Sequence, residues 1–209
     1  MDYLKDPDAI YSASFAAIAE AVDLDTVPPT LRKIVTRLIH SCGMPEILPN
    51  LHWSGDPVTP ARGALEDGKP ILVDATMVAS GITTRFLSKQ NDVICTLNAP
   101  ETRDIAKRLS TTRSAAAVDL WEPQLDGAVV AIGNAPTALF RLLEILQQPE
   151  TPRPTAIFAF PVGFVGAAES KEALIDADLD IPYLTLRGRQ GGSAFAAAAI
   201  NAVALGDQQ

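Results

Sequence analysis

His40 is one of two histidines in the chain, and it sits in the stretch Thr36-Arg37-Leu38-Ile39-His40-Ser41-Cys42-Gly43. The ordinary pKa of a histidine, about 6.5, lets it give or take a proton near neutral pH. Arg37 lies three residues earlier, on the same side of a helix, and a guanidinium grips carboxylates through a planar fork. Cys42 borders the pair, so a thiol–imidazole nucleophile is a second chemistry for this stretch. Residues this close on an irregular backbone seldom aim at one atom, which weighs against it. Taken alone, a histidine at a helix end is more often structural than catalytic.

Other chemistries leave less trace. His40 and His52 are twelve residues apart, no H-E-x-x-H pattern exists, and neither Cys42 nor Cys95 belongs to a CxxC pair, so no metal site is expected. No Walker lysine follows a glycine loop, and Ala75-Thr76-Met77 stands where a dinucleotide fold would carry G-x-G-x-x-G. A nucleotide cofactor is therefore not expected. The G-x-S-x-G elbow of a serine hydrolase is also missing. Acid–base work is the chemistry left to His40.

Candidate partners for it sit on two helices and three turns. Tyr11, Phe15, Ile18 and Val22 form one stripe of a helix predicted over 8–22, with Ser14 off the stripe, facing ligand or solvent. Leu31, Ile34, Val35, Leu38 and Ile39 form the core stripe of a second helix, which follows Pro28-Pro29 and carries Arg37 and His40. Gly43 and Pro45 end it. Asp56-Pro57 starts a third helix. Beyond Gly68 the pattern alternates. Apolar runs at 71–75, 93–97, 128–132, 155–160 and 183–186 read as strands, separated by helical segments and followed by an alanine-rich helix over 193–205. This predicts an α/β fold: one domain over 1–209, with a mainly parallel, Rossmann-like sheet of about five strands. Helices cover both faces, and the N-terminal segment is helical. His52, between Leu51 and Trp53, suits an edge strand or a surface loop and is read as structural.

In such a sheet, ligands bind beyond the carboxyl ends of the strands. Three strands run there into glycine turns: Gly133-Asn134-Ala135-Pro136, Pro161-Val162-Gly163-Phe164-Val165-Gly166 and Arg187-Gly188-Arg189-Gln190-Gly191-Gly192. Each feeds a helix N-terminus, whose free N–H groups favour anions. Arg113 opens another helix, and Arg187 and Arg189 bracket Gly188. Each arginine has a solvated-surface reading as well as a ligand-binding one.

Composition bounds the partners. The chain has 209 residues, a net charge of −8, 47% hydrophobic and 20% charged residues. That charge disfavours nucleic acid as a partner. No apolar run approaches the roughly 20 residues of a membrane helix, and the start Met1-Asp2-Tyr3-Leu4-Lys5-Asp6 has no basic-then-apolar signal pattern. A cytoplasmic protein without a membrane partner is expected. Arginine outnumbers lysine 11 to 6, which suits a carboxylate-rich small molecule.

Six blocks, in order, then point to one family. They are Arg37-Leu38-Ile39-His40-Ser41-Cys42-Gly43, residues 91–97, Thr112-Arg113-Ser114-Ala115-Ala116-Ala117, residues 130–139, residues 161–171, and Arg187-Gly188-Arg189 with Gly191-Gly192-Ser193. The chain resembles the precorrin-8X methylmutase family of cobalamin biosynthesis from about Asp8 to Leu205, matching less well over 44–54 and 176–181. The resemblance implies an isomerase that moves a methyl group from ring carbon 11 to ring carbon 12 of a corrin precursor. The product would be hydrogenobyrinate, or its cobalt counterpart if the substrate carries metal. It also implies a parallel α/β fold, a homodimer, His40 as acid–base residue, and Ser14, Arg37 and Arg113 as substrate contacts. A polycarboxylate macrocycle suits arginine forks and a cleft formed by Gly133, Asn134, Gly163, Gly166, Arg187 and Arg189. A sigmatropic shift has no leaving group and consumes no redox equivalents, so it demands no cofactor. Two other readings stay open: a non-catalytic tetrapyrrole carrier, and a Rossmann-like nucleotide or S-adenosylmethionine enzyme.

Overall fold

The computed structural model describes residue 1 and residues 3–206; the remainder of the span 1–209 lies outside the described residues. Among the described residues six strands form one sheet: β1 (Leu51–Ser54), β2 (Ile71–Val73), β3 (Val93–Ile94), β4 (Val129–Ile132), β5 (Ala156–Ala159) and β6 (Tyr183–Leu186). Their order is β1-β6-β5-β4-β2-β3. All neighbours run parallel except β1, which pairs antiparallel with β6. The five expected strands are present, and β1 is an added edge strand that places His52 opposite Thr185. β3 is shorter than the expected 93–97. The Thr96 hydroxyl donates to the Ala117 carbonyl at 2.7 Å and accepts from the Trp121 indole at 3.0 Å, turning the chain off the sheet after Ile94.

The apolar strand runs follow from burial on both faces. In register, Leu72, Val130, Ile157 and Tyr183 lie side by side and join the core under α7 (Pro136–Leu146), with Leu139, Leu142 and Leu146. One residue further on, Val73, Ala131, Phe158 and Leu184 face the opposite way into a core with α2 (Pro29–Cys42), α3 (Val58–Glu66) and α9 (Ser193–Leu205). Every residue of the expected α2 stripe is buried, each large aliphatic contributing about 1.5–3 kcal/mol. The last turn of α2 closes on Gly43, left-handed at φ 68°, whose N–H bonds the Ile39 carbonyl. α1 (Pro7–Ala21) is capped by the Asp6 carboxylate and buries only Ile18 fully, so it lies across α2 as an outer layer.

Close packing dictates the residue after β4. A Cβ on Gly133 would come within 2.8 Å of the Ser193 backbone and 2.9 Å of both Ala196 and Val78. Only glycine lets the start of α9 rest on this turn.

Candidate active site

At the exposed end of α2 the two N-terminal helices bring Ser14 and His40 together. The Ser14 hydroxyl and His40 Nδ1 share a hydrogen bond of 2.8 Å across 26 residues of sequence. The Phe15 ring lies 5.4 Å from the imidazole and the Tyr11 ring 6.1 Å. Arg37 donates from Nη2 to the Tyr11 hydroxyl at 2.6 Å, and its guanidinium sits 5.8 Å from the centres of both aromatic rings. The imidazole is thus oriented from one side, and Nε2 is the nitrogen left for a ligand. A hydroxyl can accept from Nδ1–H or donate to Nδ1, so this pair tolerates both protonation states of the ring.

Cys42 is not part of the pair. Its thiol is directed at the carbonyls of Ile39 and Met44, 3.5 and 3.9 Å away. Burial pushes its pKa up, away from the thiolate a nucleophile needs.

The carboxyl ends of the central strands hold a carboxylate of the protein's own. Asp74 directly follows β2, is 1% exposed, and accepts from the N–H groups of Gly133, Asn134 and Ala135 at 2.8, 2.9 and 2.7 Å. The main-chain donors expected to receive a ligand at Gly133 and Asn134 are therefore engaged from inside, leaving the exposed Asn134 side chain for that role. Burial pushes the Asp74 pKa up and the three donors pull it down, with burial the larger effect. The clue to this residue was an acidic side chain ending the apolar run Ile71-Leu72-Val73.

The four arginines are placed differently from one another. Arg37 belongs to the His40 corner. Arg113, exposed at the start of α6 (Arg113–Val118), donates to the Leu97 carbonyl and Asn98 Oδ1 at 3.0 and 2.7 Å. The preceding Thr112 caps that helix and bonds Thr137 at the start of α7, tying Arg113 to the β4 end of the sheet. Arg187 is taken up by Glu172 of α8 (Ala167–Asp176) at 2.7 Å. Its charge helps hold the nearby His52 below the ordinary histidine range, after burial. Arg189 stacks its guanidinium 5.4 Å from the centre of the Phe164 ring, and its carbonyl accepts from the Gly163 N–H.

Phe164 and Val165 are 85% and 88% exposed, between Gly163 and Gly166, and Gly166 leads into α8. Under this tip is an apolar cavity of about 270 Å³ bounded by Met44, Val162, Arg189, Gln190, Gly191 and Phe195. Met44 follows the end of α2 by two residues, so the helix that carries His40 leads directly to the wall of this cavity. A larger hollow, about 540 Å³, opens at the far end of α9 beside Arg62, Arg85 and Gly206. It lies at the amino ends of the strands, apart from the residues just described, and smaller size does not disqualify the site beside Met44.

The model of the precorrin-8X methylmutase family matches residues 9–205. The chain belongs to that family. A precorrin-8X methylmutase of Pseudomonas aeruginosa is 50% identical over 204 residues, 98% of either chain, and one of a Sinorhizobium species is 50% identical over 203 residues, 97% of this chain and 96% of the relative. A cobalt-precorrin-8 methylmutase of Methanocaldococcus jannaschii is 35% identical over 170 residues, 81% and 77% of the two chains. The solved precorrin-8X methylmutase structure of Thermus thermophilus superposes with a TM-score of 0.84 at 34% identity, covering 94% of each chain. The family fold is thus the mainly parallel sheet seen here, and Ser14, Arg37, His40 and Arg113 all fall inside the matched span.

Proposed function

We propose that this protein is a precorrin-8X methylmutase, moving a methyl group from ring carbon 11 to ring carbon 12 of the metal-free precursor to give hydrogenobyrinate in cobalamin biosynthesis. The observation that carries the reading is the Ser14–His40 pair on the exposed end of α2, within a chain that belongs to this family. The metal-free substrate is favoured because the relatives at 50% identity are named for precorrin-8X, whereas the 35% relative is named for cobalt-precorrin-8.

His40 Nε2 donates a proton to the conjugated macrocycle, which redistributes its electrons and lowers the barrier to migration. The methyl carbon breaks its bond to one ring carbon as it forms the next, and the proton returns to Nε2 or solvent, so the sum is an isomerisation. Arg37, Arg113 and Arg189 answer the carboxylate arms, and the apolar cavity beside Met44 takes part of the ring system. The protein acts as a homodimer in the cytoplasm; among the described residues no helix is long and apolar enough to cross a membrane.

The His40→Ala variant tests this directly. It should bind the precursor with little change and convert it about 10²–10⁴-fold more slowly, the usual worth of a general acid. Conversion near the wild-type rate removes His40 from the mechanism. A wild-type protein that binds precorrin-8X and never releases an isomerised product is a carrier.

A further inference from the structure

Lys171, in the second turn of α8, is fully buried. Its ammonium donates to the main-chain carbonyl of Gln190 at 2.7 Å. Taking an ammonium out of water costs several kcal/mol, and one neutral carbonyl returns only part of that. Burial accordingly pushes the lysine down to about 8, with Glu172 beside it pulling the other way. A neutral side chain could hold a loop carbonyl at lower cost, so the charge itself points to a use.

Peptide geometry shows where the charge is felt. The bond between Gln190 and Gly191 is trans, so its C=O and N–H point in opposite directions. With the carbonyl turned onto the buried ammonium, the Gly191 N–H points away from it, to the open side of the loop. There Gln190 and Gly191 border the apolar cavity together with Met44 and Phe195. No acceptor among the described residues takes that N–H. The peptide is also held from rotating: Gly191 lies against the carbonyls of Phe160 and Pro161, where a side chain could not fit, and the Gly192 N–H bonds the Phe160 carbonyl at 2.8 Å. A carbonyl that accepts from an ammonium makes its own peptide N–H a stronger donor.

We infer that Lys171 is a positioning residue that fixes and polarises the Gln190–Gly191 peptide, so that the Gly191 N–H receives one carboxylate arm of the tetrapyrrole at the mouth of the apolar cavity. This rests on the substrate class proposed above and assigns it a contact. Arg189, exposed at the rim, adds charge to the same place.

Absorbance titrations with hydrogenobyrinate, and with the same macrocycle methyl-esterified at its carboxylates, test it. Lys171→Met, close in shape but uncharged, should weaken binding of the acid about tenfold, the size of one charge-assisted hydrogen bond, and leave the ester almost unchanged. KM for precorrin-8X should rise in step while kcat is kept. Equal losses for acid and ester, or no loss for either, overturn the inference. If the variant does not fold, a pH series on the wild type decides. Affinity for the acid should fall between pH 7 and 9.5 as the ammonium, flanked by Glu172 and by Arg187 and Arg189 of the loop after β6, loses its proton, while the ester stays flat. A flat acid curve in a wild type that turns over precorrin-8X overturns the role of Lys171 alone. A wild type that binds neither compound removes the substrate reading as well.

Discussion

An imidazole on the last turn of a surface helix would ordinarily sample several rotamers and both tautomers. His40 is held instead by the Ser14 hydroxyl at 2.8 Å and packed beside Phe15 and Tyr11. Orienting a catalytic group ahead of the substrate lowers the barrier without strengthening binding. Removing the hydroxyl should therefore act on kcat more than on KM. Ser14→Ala is expected to lower kcat about tenfold with KM within roughly twofold, a modest share of what general acid catalysis supplies, and Ser14→Thr should recover most of it. Steady-state assays of the three proteins check this. Full turnover in the alanine variant would show that the hydrogen bond is incidental.

One connection between elements holds the carboxyl edge of the sheet together. The Asp74 carboxylate at the end of β2 gathers the three N–H groups that lead from β4 into α7. Each of those groups would be costly to bury alone, about 1–3 kcal/mol apiece before relaxation. Asp74→Ala should accordingly lose about 3 kcal/mol or more in urea unfolding, a large share of the stability of a typical domain. The pH dependence has a definite sign. Burial raises the folded-state pKa of Asp74 above its ordinary 3.8. The stabilisation tied to that shift is present in full below the ordinary value and is lost as pH rises through the folded one. Unfolding free energies measured upward from pH 4 should show this decline in the wild type and not in Asp74→Asn. Parallel curves for the two proteins would mean that Asp74 does not titrate differently in the folded state.

Seen whole, the molecule was most legible where burial is two-sided. The stretches 71–73, 128–132 and 156–160 are apolar at every position, and 183–186 at all but Thr185, because helices cover both faces of the sheet. β1 was harder to read, since Leu51-His52-Trp53-Ser54 is short, pairs on one side only and buries a single residue fully. The Ser14–His40 contact depends on how α1 crosses α2, which no periodicity within either helix encodes. The burial of Lys171 depends on the loop that carries Gln190 over α8, which nothing in the local run Ser170-Lys171-Glu172 encodes. Net charge, by contrast, is read from composition at once, and it sets a problem for the proposed substrate. The chain carries −8, which at about 25 Å in water repels each ligand carboxylate by roughly 1 kcal/mol before screening. Individual cations such as Arg37, Arg113 and Arg189 act mainly within a Debye length, about 8–10 Å at ordinary salt and about 30 Å at 0.01 M. Approach is then slowed by the whole molecule, and capture is made by a few local cations. Stopped-flow binding of hydrogenobyrinate should show an association rate that rises several-fold from 10 to 150 mM salt, opposite to the trend for an attracted ligand. The dissociation rate should rise as well, because the local pairs weaken. Arg113→Ala should raise the dissociation rate further and leave the salt trend of association in place. An association rate that falls with salt would mean that local cations such as Arg113, rather than the overall charge, govern approach.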